Sequence, residues 1–263
     1  VDDLKILPGN TAHLCPNCGA DIKPVYVPFL RHHIIPACAC MVTAYEREEA
    51  ERQAKEKQER INRILSTSGL GERFKDCTFE NWKQRKGAEK AYRTARDYAG
   101  NLKDNITNGK GYIVFGGPGN GKSHLAAAVV NTAIRQGYTA IFERVPKLLV
   151  KIRATYNSGT ISEGQIMRTL TDADLLVLDD AGAEKCTQWT EPTLYTIIDE
   201  RYTNRKAIIV TTNAGLDELE QKIGFRAMDR LLEMCVIVEN QASSYRREII
   251  KNLKKVTVES QKH

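Results

Sequence analysis

Residues 116–123 read Gly-Gly-Pro-Gly-Asn-Gly-Lys-Ser, and no other stretch restricts the fold so tightly. The apolar run 111–116 ahead of it has the composition of a buried strand, and segment 122–136 behind it has the apolar face of a helix that stops at Gly137. A glycine loop in that setting can curl until successive backbone N–H groups face one anion, and the helix adds its positive N-terminal end. The spacing G-x-x-x-x-G-K-[ST] is complete. Gly116, Gly117, Pro118, Gly119, Asn120, Gly121, Lys122, Ser123 and His124 are therefore expected to wrap the phosphates of ATP or ADP. Lys122 should reach the β- and γ-phosphates, and the Ser123 hydroxyl should bind Mg²⁺.

Strand and helix patterns alternate from about residue 72 onward. Apolar runs at 138–143, 175–180, 207–213 and 235–240 read as further strands. Helical patterns lie near 146–156 and 162–170, from about Pro192, and over "SYRREIIKNLKK" at 244–255. Such alternation implies a parallel sheet covered on both faces, an α/β fold with five strands. In "LLVLDD" (175–180) the four apolar residues place the strand centrally. Asp179 then emerges at its C-terminal end, where open α/β sheets bind ligands. Asp179 is expected beside Mg²⁺, and Asp180 is the candidate base that polarises the attacking water. If the strand ending in Asn213 inserts between the other two, Asn213 faces the γ-phosphate.

The N-terminal third differs in composition. Residues 1–45 hold four of the seven cysteines, Cys15, Cys18, Cys38 and Cys40, together with His32 and His33. A C-x₂-C knuckle followed by C-x-C suits a tetrahedral Zn²⁺ held by four thiolates, and either histidine is an alternative ligand. So small a module needs such a staple to fold. Residues 46–65 are charged nearly all round and read as a helix with Glu48–Arg52, Glu51–Lys55, Glu56–Arg60 and Glu59–Arg63 pairs, broken by "STSGLG" at 66–71. The expected organisation is a zinc-binding module at 1–45, a charged helical linker at 46–71 and a nucleotide-binding domain at 72–263. No apolar run approaches the roughly 20 residues that cross a bilayer and no signal-peptide pattern opens the chain, so a cytoplasmic protein without membrane contact is expected. A formal charge of +6 is compatible with an anionic partner without specifying one.

The order "GGPGNGKSHLA…LLVLDDAG…IIVTTN…GFRAMDRLLEMC…SYRREI" resembles the AAA+ ATPases of the DnaC/DnaI helicase-loader group, which includes the IstB transposition ATPases. The resemblance covers roughly residues 72–254 and implies an AAA+ P-loop NTPase with a truncated lid. It implies that Arg230 is an arginine finger for a neighbouring subunit's ATP, with Arg226 as competitor, and that Arg246 is the sensor-2 arginine on the γ-phosphate. It also implies adenine packing near Phe74, Thr78 and Phe79. Single-stranded DNA would lie near Lys147, Lys151, Arg153 and Tyr156. The expected partners are a replicative DnaB-type helicase gripped by the cysteine module, single-stranded DNA, and further copies of the chain in an ATP-bridged oligomer. The alternatives are an IstB-like ATPase acting on double-stranded DNA, and a nucleotide-binding adaptor without useful catalysis.

Overall fold

The strands of the cysteine-bearing segment are only two or three residues long, and most of the apolar side chains described there stay exposed. The computed structural model describes residues 13–64, 74–157, 161–184, 187–248 and 250. The chain divides into two units, 1–54 and 55–263. In the first, β1 (His13–Leu14) pairs antiparallel with β2 (Asp21–Ile22), and β3 (Val25–Val27) with β4 (His32–Ile34). The helix α1 (Ala39–Ile64) follows. It starts seven residues before the expected 46, because the Cys38 carbonyl accepts the amides of Met41 and Val42 at 2.8 and 3.0 Å and so opens the first turn. Two ion pairs on it join residues not paired from the sequence. Glu51 meets Arg47 at 2.9 Å, and Arg52 grips both oxygens of Glu49 at 3.1 and 2.7 Å.

The second unit begins with the end of α1. There α2 (Glu89–Gly100) and α3 (Leu102–Thr107) precede β5 (Gly111–Phe115) and α4 (Lys122–Arg135). Then come β6 (Ala140–Arg144), α5 (Val145–Ala154), α6 (Glu163–Asp172), β7 (Leu175–Asp179) and α7 (Thr190–Thr203). The described elements close with β8 (Ala207–Thr212), α8 (Leu216–Ile223), α9 (Phe225–Met234) and β9 (Cys235–Glu239). The five strands from β5 on form one parallel sheet in the order β6-β7-β8-β5-β9. Ile113, Leu176, Leu178, Ile208 and Val210 face one apolar layer with α5 to α9, and Tyr112, Val114, Phe142, Val177 and Ile209 face another with α2 and α4. Burial on both faces explains why these strands are apolar without alternation.

Two polar devices finish this unit. Gln58 on α1 lays its side-chain amide along the outer strand β6, donating to the Ala140 carbonyl at 3.0 Å and accepting the Ala140 amide at 2.9 Å. The fully buried Arg201 donates to the carbonyls of Leu170 and Ala207 at 2.6 and 2.5 Å, tying α6, α7 and β8 together. After β9 the described chain is loop 240–244 and a helical stretch 245–248. The break at 66–71 and the residues of the final helix beyond 250 lie outside the described residues.

Candidate nucleotide site and cysteine centre

Every strand of the sheet is parallel, so the C-terminal ends of β5, β7 and β8 share one rim. Because β8 lies between β7 and β5, Asn213 stands between the paired aspartates and the glycine loop, as the insertion required. Its Nδ2 donates to Asp180 Oδ1 at 2.5 Å, and its Oδ1 accepts from Lys122 Nζ at 2.9 Å. Lys122 also reaches the carbonyls of Gly116 and Gly117 at 2.8 and 2.9 Å and Asn120 Oδ1 at 3.1 Å. Four oxygens thus share three N–H donors. Burial pulls this ammonium down to about 8, against the pull of Asp180 and Asp179.

Asp179 is buried at the end of β7 and accepts the Thr211 hydroxyl at 2.7 Å. Burial pushes its carboxyl up, opposed by hydrogen bonds from Ser123 and Thr211. Arg144 at the end of β6 approaches it at 3.6 Å. Asp180 takes φ +60, a left-handed turn that swings its side chain to the cleft, and its amide is held by Thr211 Oγ1 at 3.0 Å. The Ser123 hydroxyl and the Asp179 carboxylate are adjacent hard oxygen donors of the kind Mg²⁺ takes.

These groups open into a cleft of about 550 Å³ lined by residues 118–124 together with Phe74, Trp82, Arg85, Arg144, Asp180, Asn213, Tyr245 and Arg246. The volume is ordinary for a small-molecule site. The expectation for Phe79 is corrected. It packs edge-on against Tyr92, ring centroids 6.0 Å apart, in the apolar layer under α2 and does not line the cleft. Phe74 does line it, and so does Trp82, which leans on Gly121 and on the His124 ring at 5.3 Å. His124 donates from Nε2 to the Thr78 carbonyl at 2.9 Å, so it braces the wall. Trp82, Arg85, Arg144 and Tyr245 were not singled out from sequence. Only the aromatic–basic run 82–85 just past Phe79 carried a trace of them.

The arginines separate. Arg246 is exposed and lines the cleft. Arg230 does not: it pairs with Asp199 at 3.1 Å and lies 4.5 Å from the Tyr202 ring centroid. Arg226 is exposed on the same helix, α9. Of the residues expected near DNA, Lys147 and Arg153 are exposed, and the Tyr156 hydroxyl accepts from Trp189 Nε1 at 3.1 Å. Lys151 is committed elsewhere: it meets Oε1 of the fully buried Glu143 at 2.6 Å. A buried carboxylate demands a partner before any solvent-side ligand can have one.

In the first unit the four cysteine sulfurs lie within 4.8 Å of one another. Cys15 and Cys40 are 3.5 Å apart, as are Cys18 and Cys38. Thiolates about 2.3 Å from a tetrahedral Zn²⁺ are spaced by roughly 3.8 Å, so this donor set fits that ion. The backbone amides of Cys18 and Asn17 pull Cys15 down to about 6, whereas hydrogen bonds from the neighbouring thiols, that of Cys15 first, push Cys40 up. His32 bonds the Leu30 carbonyl and His33 packs on Tyr26, so neither joins the cluster.

Residues 41–252 match the family of IstB-like ATP binding proteins. The chain belongs to that family. Its members are P-loop AAA+ ATP-binding proteins, and the five-stranded parallel sheet of this IstB-like chain is of the DnaC-like AAA+ kind. It is 33% identical over 185 residues to the uncharacterized protein YdaV of Escherichia coli K12, covering 70% of this chain and 72% of that one. It is 30% identical over 173 residues to the replicative helicase loader DnaC of the same organism, covering 65% and 69%. The crystal structure of the DnaC helicase loader superposes with a TM-score of 0.59 at 25% identity, over 65% of this chain and all of that one. AMPPCP-bound DnaA from Aquifex aeolicus shares the fold at a TM-score of 0.55 and 24% identity, over 68% and 55%. Among the described residues, no helix is long and apolar enough to cross a membrane.

Proposed function

We propose that this chain is an ATP-driven loader of a hexameric replicative helicase onto single-stranded DNA, and that it hydrolyses ATP at the seam between two copies. The observation that carries the reading is the convergence of Lys122, Asp180 and Asn213 on one cleft, with Asp179 buried behind the cleft-lining Ser123, in a relative of DnaC. In the working site Lys122 leaves the loop carbonyls for the β- and γ-phosphates. Ser123 and Asp179 would hold Mg²⁺, whose charge neutralises the phosphate oxygens. Asp180, braced by Asn213, orients the attacking water. Arg246 meets the γ-phosphate from its own subunit. Arg230, absent from its own cleft and half-exposed beside Asp199, serves the neighbour's.

The first unit supports a docking role. Its exposed large apolar side chains include Phe29 at 93%, Leu14 at 69% and Tyr45 at 68%, any of which a docking partner could cover. Zinc on the four cysteines would hold that surface in shape. The test is native mass measurement of the chain with a hexameric replicative helicase, ATP and zinc. The expected result is a complex that needs the cysteine unit. Capture of a transposase instead, with no helicase complex, would replace this reading with the IstB-type role on double-stranded DNA.

A further inference from the structure

The glycine loop is bolted to the segment that carries Arg246. Asn120, inside the loop, and Asn240, just past β9, are both fully buried, with exposures of 0% and 1%. They trade amide bonds: Asn120 Nδ2 donates to the Asn240 carbonyl at 2.7 Å, and Asn240 Nδ2 donates to the Asn120 carbonyl at 3.2 Å. Asn240 Oδ1 accepts the Ala242 amide at 3.2 Å and turns the chain toward the cleft. Arg85 spans both strands of this joint, with Nη2 on the Asn120 carbonyl at 2.6 Å and Nη1 on the Ser243 carbonyl at 2.8 Å. Its guanidinium is packed between Trp82 and Tyr245, 5.5 and 5.3 Å from their ring centroids. A third link is the Tyr245 amide on the Gly119 carbonyl at 2.9 Å. Two of the loop's glycines serve this joint as well as any anion. A Cβ on Gly116 would strike the Asn240 carbonyl, and one on Gly119 the Ser244 hydroxyl.

We infer that Asn120, Asn240 and Arg85 are positioning residues that set Arg246 in register with the phosphate loop, so that Arg246 distinguishes a nucleoside triphosphate from a diphosphate. The chain between Asn240 and Arg246 is pinned at 240, 243 and 245, which leaves the arginine's backbone little freedom of its own. The same Asn120 side chain also accepts from Lys122 at 3.1 Å, so the loop's lysine and the Arg246 segment hang on one amide. This inference rests on the nucleotide reading above and adds residues to it.

The experiment compares wild type with Asn240→Ala, Arg85→Gln, Arg246→Ala and the double variant Asn240→Ala/Arg246→Ala. Affinities for a non-hydrolysable ATP analogue and for ADP are read by titration, and hydrogen exchange is followed at the Tyr245 amide. Asn240→Ala is expected to speed that exchange and to erode the preference for triphosphate over diphosphate by about tenfold, with ADP affinity held within about threefold, and Arg85→Gln, at a residue that itself lines the cleft, to speed the exchange. The double variant should discriminate no worse than Arg246→Ala alone, because the residues act as one unit. A structural role alone would weaken both nucleotides equally and would multiply with Arg246→Ala, and either result overturns the inference. Should Asn240→Ala fail to fold, Asn240→Asp, which keeps the acceptor for the Ala242 amide and loses the donor to the Asn120 carbonyl, carries the same test. A wild type that binds neither nucleotide refutes the nucleotide reading itself, while the exchange rates still report whether the joint holds the segment.

Discussion

Among the described residues, the unit ending at 54 buries only Cys15 and Cys38, whereas the unit beginning at 55 buries two full apolar layers around its sheet. The first has too little to gain from excluding water and relies on four sulfurs brought together. The second stands on burial and can keep an unrelaxed site at its rim: a lysine among carbonyls, a carboxylate out of water, an aspartate in a left-handed turn. On the proposed reading, one unit would need its ligand to fold and the other only to react.

The widest break in that comparison would come from removing the metal. Chelation, or Cys18→Ser, is expected to abolish ordered structure in residues 13–40 while ATP affinity stays unchanged, read by circular dichroism, metal analysis and nucleotide titration. Simultaneous loss of both would show that the second unit does not stand by itself. Next in size is Arg230→Ala. Hydrolysis by the assembled protein should fall about 10³-fold with ATP binding intact, and mixing with Lys122→Ala should restore part of it, since each variant keeps the half the other lacks.

How much of this could be read beforehand depended on whether the cause was local. The strands β5, β7 and β8 were plain because burial on both faces writes an unbroken apolar run. The place of Asn213 hung on strand order, which the sequence left open and the sheet settles by inserting β8 between β7 and β5. The walls of the cleft did not, since Arg85 reaches Asn120 across 35 residues and Ser243 across 158, and no periodicity encodes such meetings. Lys151 misled for a related reason: its partner Glu143 lies across the junction of β6 and α5, where neither helical nor strand spacing applies. The odd C-x-C half of the cysteine cluster also became intelligible only with α1 starting at Ala39, which places Cys40 on the first helical turn.

Two smaller effects sharpen the contrast. Leu176→Ala, in the centre of β7 and fully buried, should destabilise the second unit by about 3 kcal/mol, lowering its melting transition without altering zinc content. Raising the pH from 7 to 9 takes Lys122 through its lowered value of about 8. Because the charged ammonium is the form that binds phosphate, ATP affinity should weaken as pH rises, by about tenfold at pH 9. Titration of a fluorescent ATP analogue checks this, and a flat profile would mean that the lysine stays charged in its carbonyl nest.

The amide that Gln58 lays along Ala140 has a consequence for crowding. An outer strand with free donors and acceptors is a template on which another chain can crystallise its own backbone. By filling the outward pair at Ala140, the side chain removes a foothold there for the backbone of another chain.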